Sequence, residues 1–195
     1  AEMMMGDVSR ILYVHVPAAW LSLVAFTIAF VAALGHLANG KQSWDSTVEA
    51  ACEVGVLLCT LLLILGSIFA RPTWGVWWTW DPRLTASAIM LLTFIGVLML
   101  RATVDEPVRR GLWTSVATVM AYITIPITYM SVRWWRSVHQ LQSSPETMSS
   151  EMVMVLRINA FAFLFLMIWF IVRRWRIGQQ LNLFELPPEL PEEST

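Results

Sequence analysis

Charge is scarce in this chain. Asp, Glu, Lys and Arg make up 14% of its 195 residues, while hydrophobic residues make up 57%. Soluble domains carry about 25% charged and about 45–50% apolar residues, so an ordinary soluble globule and a disordered chain are both excluded. Thirteen basic against fourteen acidic residues leave a formal charge of -1, and with no basic stripe to follow phosphates, nucleic acid is not expected as a partner. Cysteine is nearly absent. Cys52 and Cys59 cannot build a disulfide framework, and their seven-residue spacing places them on one helix face, where packing is the better reading. There is no internal repeat and no Gly-rich phosphate loop. What is abundant is aliphatic sequence in long runs, and tryptophan, with eleven residues.

Five runs are long enough to cross a bilayer: 16–37, 51–70, 84–100, 112–130 and 152–172. A hydrocarbon core of ~30 Å needs about 20 helical residues, and lipid leaves backbone groups no partner except their own helix. The fold class is therefore all-α, a polytopic transmembrane bundle with five spans. Within those limits only His36, Glu53 and Arg157 are ionisable, each near a span end. The connections 38–50, 71–83, 101–111 and 131–151 are too short to hold a domain. Residues 1–172 are thus expected to form one membrane domain. The tail 173–195 opens with Arg173, Arg174 and Arg176, ends in LPPELPEEST, and is expected to be disordered. The first residues, AEMMMGDVSR, carry no initiator Met and no signal-peptide pattern, so the chain is read as processed or as a fragment.

Parity of the spans sorts the connections onto two sides. One side receives His15, the loop RPTWGVWWTWDPR and the segment SVRWWRSVHQ with His139. It holds six of the eleven tryptophans, Trp74, Trp77, Trp78, Trp80, Trp134 and Trp135. His36 falls about 31 Å away, at the other end of the first span, and cannot share a site with His15. The second side carries seven basic residues to six on the first, with Arg109/Arg110 and Arg173–Arg176 against span ends. This leans towards the second side as cytoplasmic.

The crowded side is where chemistry is expected. Tryptophans at an interface often form only an aromatic belt. Four of them with Asp81 in the eight residues 74–81 can instead build a platform for a flat, largely apolar ligand such as a porphyrin or quinone. A lone histidine near a span end is usually just hydrogen-bonded. Two on one side can clamp a heme iron from opposite faces, whereas zinc would find only Asp81 as a further ligand. Arg71, Arg83 and Arg133, with Arg136, either anchor the interface by snorkelling or pair with carboxylates of a ligand. Asp81 either orients a histidine or holds an arginine. Pro126 is expected to kink the fourth span and make room beneath the tryptophans.

WGVWWTWDPRLT resembles the tryptophan-rich segment of the WWD-domain heme-handling proteins of cytochrome c biogenesis. YVHVPAAW and SVRWWRSVHQ resemble the flanking histidine segments of one branch, the cytochrome c maturation protein C (heme exporter protein C) family. The three motifs occur in the same order over residues 10–140. The resemblance implies that His15 and His139 are the axial ligands of a non-covalent b-type heme. It also implies a platform of Trp74, Gly75, Trp77, Trp78, Trp80 and Asp81, with Arg71, Arg83, Arg133, Trp134 and Trp135 beside it. It implies a bacterial inner-membrane protein whose heme faces the periplasm and is presented to a periplasmic heme chaperone. The implied partners are ABC transporter subunits, a small single-span membrane protein and the lipid bilayer. On this reading the chain is a presentation device and no conventional enzyme, in keeping with its lack of an ATP site. Members of the family usually have six spans, so a sixth, N-terminal span is expected to be missing here. The alternatives are a heme or solute permease subunit, and a quinone or heme electron-transfer protein. The first would want polar interior helices, and the second would want ligands inside the spans.

Overall fold

A computed structural model describes residues 6–139 and 149–185. Among them there are helices and no strands. Helix α1 (Leu12–Asn39) follows a 3₁₀ segment, Gly6–Ile11, and ends at Gly40, whose left-handed backbone (φ 65°) returns its N–H to the His36 carbonyl. Only Gly40 and Lys41 separate it from α2 (Gln42–Trp74), so the two helices run antiparallel. Helix α3 is Pro82–Thr103 and α4 is Pro107–Ala121. Each starts on an acidic cap followed by proline. Asp81 accepts the Arg83 N–H, and Glu106 accepts those of Val108 and Arg109, all at 2.9 Å. Proline suits the first helical position because the N–H it lacks has no partner there.

The fourth span is broken. Helix α4 gives way at Tyr122–Ile123 to α5 (Thr124–Trp134). Pro126 explains the position, since its ring clashes with the carbonyl four residues back, which is that of Tyr122, and it donates no hydrogen bond. An open apolar groove of about 520 Å³ lies along this break, lined by Trp20, Tyr122, Ile125, Pro126 and Tyr129 among others. Helix α6 (Ser150–Glu185) closes the bundle. Five helical stretches, counting α4 and α5 together, are long and apolar enough to cross a membrane.

Alanine lines the buried face of α1, at Ala25, Ala29, Ala32 and Ala33, and lets neighbouring backbones approach closely. Against it pack Val48, Cys52 and Cys59 of α2 and Met90 and Phe94 of α3. Phe26 stacks on Phe94 with centroids 3.7 Å apart. Both cysteines are free and buried, Cys52 beside Thr118 and Cys59 beside the Ser87 carbonyl.

The end of the bundle away from His15 holds a buried ionic cluster. Arg101 of α3 grips Asp45 of α2 in a forked pair, Nη1–Oδ1 at 2.7 Å and Nη2–Oδ2 at 2.9 Å, and Asp45 has 0% exposure. Arg101 Nε also meets Glu49 at 3.1 Å, and Arg174 of α6 bridges Glu49 at 2.9 Å and Glu53 at 2.5 Å. Three helices are tied by these charges, of which hydropathy alone assigns Asp45, Glu49 and Arg101 to connections and Arg174 to the tail. The expected connection 38–50 is thus helix from Gln42 onward. The chain also stays ordered past residue 172. Arg174, the Trp175 indole donating to the Ser43 carbonyl and the Gln179 amide donating to Ser46 Oγ hold α6 against α2. Residues 173–185 are therefore helical, which corrects the expectation of disorder there. The remainder of the expected tail, 186–195, lies outside the described residues.

Candidate functional site

His15 is the fourth residue of α1, half-buried against α2, and its Nδ1 is buried with no hydrogen-bond partner. Pro17 sits two residues on, inside the helix, and offers no N–H to the Tyr13 carbonyl four residues back. From the other end of the chain order, α5 finishes at Trp134. The backbone then extends through Trp135 towards His139.

Asp81 fixes that second segment. Its carboxylate accepts the Val138 N–H at 2.8 Å and the Ser137 hydroxyl at 3.0 Å while it caps α3. The Ser137 hydroxyl oxygen in turn accepts the His139 N–H at 3.0 Å. His139 Nδ1 lies 3.4 Å from Asp81 Oδ1, which turns the opposite ring nitrogen away from the carboxylate. Burial opposes ionisation of Asp81, but the donors from Val138, Ser137 and Arg83 outweigh it and hold the carboxyl below its usual range. For His139, burial is the larger influence and pushes the imidazole below its ordinary value of 6.5, with Arg83 adding to the effect and Asp81 opposing it. A neutral ring is the form that ligates iron.

Replacing Asp81 with Ala removes a helix cap and both anchors of the 137–139 segment. The cap alone is worth about 1 kcal/mol. Amide exchange at Val138 is expected to accelerate at least tenfold, with α1 amides unaffected. Unchanged exchange would show that the segment is held by other means.

The two histidines lie at the same end of the bundle: His15 packs over Gly66 of α2, and Trp74, about two turns further along α2, packs against His139. The guanidinium of Arg83 makes no hydrogen bond or ion pair with any described residue, although Asp81 and Tyr129 share its electrostatic surroundings. Trp74 meets His139 edge to face, with centroids 5.4 Å apart and an interplanar angle of 67°, and is itself backed by Phe69. Gly75 takes φ 80° to end α2, and Arg71 Nη1 donates to its carbonyl, so these two residues shape the turn. Beyond the turn, Trp77 and Trp80 are exposed, Trp80 by 83%, and Trp78 packs edge to face on Trp80. Arg133, Trp134 and Trp135 are exposed at the end of α5, the two indoles edge to face with each other.

Two other residues meet this site that its motifs do not single out, Ser137 and Tyr129. A serine two residues before a histidine is a common backbone-bonding arrangement, but nothing in the motif says that its partner is Asp81. His36 is elsewhere. Its Nδ1 faces the Lys41 carbonyl at 3.2 Å, at the far end of α1.

The donor set suits a planar group with a metal at its centre and acids on its rim. It offers two imidazoles, the half-buried Arg83, and indole faces open to the surface. Residues 1–181 match the heme exporter protein C family. The chain belongs to that family. Heme exporter protein C of Bradyrhizobium diazoefficiens is 37% identical over 135 residues, 69% of this chain and 51% of that protein. The protein of the same name from Escherichia coli K12 is 31% identical over 167 residues, covering 85% and 68%. That of Haemophilus influenzae is 31% identical over 181 residues, covering 91% and 74%. The chain thus spans about half the length of the Bradyrhizobium relative. This member of the heme exporter protein C family is a multi-pass membrane protein by the length and character of its helices.

Proposed function

We propose that this chain holds a non-covalent b-type heme between His15 and His139 and presents it to a periplasmic heme chaperone during c-type cytochrome biogenesis. One observation carries the reading: His15, seated over Gly66 of α2, and His139, packed against Trp74 of the same helix, stand at one end of the bundle. The relatives' name, heme exporter protein C, supports heme as the ligand. When bound, the heme supplies an iron for axial ligation and a vinyl edge for a partner's nucleophile. His15 and His139 would hold the iron. Asp81 orients His139 and holds its segment, and Arg83 neutralises a propionate. The exposed indoles of Trp77, Trp80, Trp134 and Trp135 shield the macrocycle while leaving its rim accessible. The chain acts within a complex, in a heme-presentation or heme-lyase-like role. Its site end faces the periplasm and the ionic cluster lies towards the cytoplasm of a bacterial inner membrane. ABC transporter subunits and a small single-span protein complete the system.

The role of Arg83 is checked by charge reversal. A charge-assisted hydrogen bond is worth about 1.5–3 kcal/mol, so Arg83→Glu is expected to weaken heme binding tenfold or more in a titration. Arg109→Glu, on an exposed side chain at the opposite end, should leave the affinity unchanged. Equal losses in both would rule out propionate pairing by Arg83.

A further inference from the structure

Three glycines of the α1–α2 pair each face a large ring of the opposite helix. A Cβ on Gly66 would lie 3.1 Å from His15 Cε1, and one on Gly55 would lie 2.5 Å from Phe26 Cε1. One on Gly35 would lie 2.8 Å from Trp44 Cδ2. Between the first two seats α1 advances eleven residues, from His15 to Phe26, while α2 steps back eleven, from Gly66 to Gly55. Trp44 lies a further eleven residues back along α2. Eleven residues are about three turns, so positions 44, 55 and 66 fall on one face of α2. The pair is therefore locked in register by rings seated over glycine, with Phe26 deep in the core and His15 at the site.

We propose that Gly66 is the positioning residue for the His15 imidazole, fixing the ring by the space it leaves. Among the described residues Nδ1 is buried and has no well-formed hydrogen bond, and the Leu62 backbone, one turn before Gly66, is the polar group near the ring. Close packing confines a side chain to the rotamer its neighbours leave open; a Cβ at 66 would push the ring by a few tenths of an ångström, and a longer side chain would compete for its place. The consequence for heme rests on the reading of His15 as an axial ligand. The coupling between residues 15 and 66 does not.

The test is a double-mutant cycle on the heme-free, detergent-purified chain, using Gly66→Leu, His15→Ala and the double variant. Gly66→Leu is expected to lower the melting temperature by several degrees. In the His15→Ala background the drop should be less than half as large, because the ring it collides with is gone. Gly96→Leu, where nothing lies within 4 Å, should behave identically in both backgrounds. Equal drops for Gly66→Leu in both backgrounds would overturn the inference. Should Gly66→Leu fail to fold, Gly66→Ala enters the same cycle, and the absence of coupling there overturns it equally. Heme titration gives the second readout. Gly66→Leu should lose the low-spin spectrum and regain it with added imidazole, as His15→Ala does. A Gly66→Leu spectrum unchanged from the parent would also overturn the positioning role. If His15→Ala itself leaves the parent spectrum intact, the ligand assignment fails, while coupling in the heme-free cycle still stands.

Discussion

His15→Ala and His139→Ala are each expected to convert a low-spin heme spectrum to a high-spin one and to weaken heme retention about tenfold or more. Removing either imidazole would take away one of the two nitrogen donors that hold the iron and set its spin state. A tenfold loss corresponds to about 1.4 kcal/mol, a modest demand on a metal–imidazole bond. The two variants should differ in detail. His139 sits on a segment held by Asp81 through Ser137 and Val138, so its loss leaves that segment anchored. His15 sits on the α1–α2 interface, so its loss opens a space beside Gly66. His36→Ala is the control, since His36 lies at the other end of α1 beside the Lys41 carbonyl. Identical spectra for all three variants would remove the axial assignment.

The second large effect concerns stability. Arg101→Ala is expected to destabilise the bundle by about 3–5 kcal/mol, because it leaves Asp45, fully enclosed, and the adjoining Glu49 without their shared cation. Arg174 still reaches Glu49 and Glu53 but has no contact with Asp45. For a chain of this size such a loss lowers the melting temperature by roughly 2–4 °C per kcal/mol. The paired replacement Arg101→Met with Asp45→Leu should recover much of the loss, since apolar side chains of similar volume replace a buried ion pair at little cost. A melting temperature unchanged by Arg101→Ala would mean that the charges are hydrated and that α2 and α3 are held by packing alone. Neither variant touches the histidine end, so the heme spectrum of the folded fraction should be preserved in both.

Much of this organisation is legible in the sequence, and what is not has physical causes. The five crossings follow from apolar runs because lipid admits no other backbone arrangement. Their limits were less legible. Hydropathy marks only the part of a helix that meets lipid, whereas α2 begins at Gln42 and α6 continues to Glu185 because Arg101 satisfies Asp45 and Arg174 satisfies Glu49 and Glu53. Those pairs join residues far apart in the chain, such as Asp45 and Arg101, and local pattern carries no trace of them. Pro126 is the opposite case, a local signal whose effect at Tyr122–Ile123 follows from the ring itself. At the site, parity alone places His15, the tryptophan loop and His139 at one end. The Asp81 carboxylate, open in the sequence between orienting a histidine and holding an arginine, approaches His139 and holds its segment through Ser137 and Val138, while taking only the backbone N–H of Arg83. The seat of His15 over Gly66 needs the register of two helices, which no single-helix motif encodes.

The most direct measurement is the visible absorption spectrum of the detergent-purified chain with heme added, oxidised and then reduced, followed by acid–acetone extraction. Non-covalent binding between His15 and His139 is expected to give sharp low-spin bands on reduction and complete extraction of the heme. A folded protein that stays colourless after heme is added would contradict the central claim, and heme that resists extraction would contradict its non-covalent character.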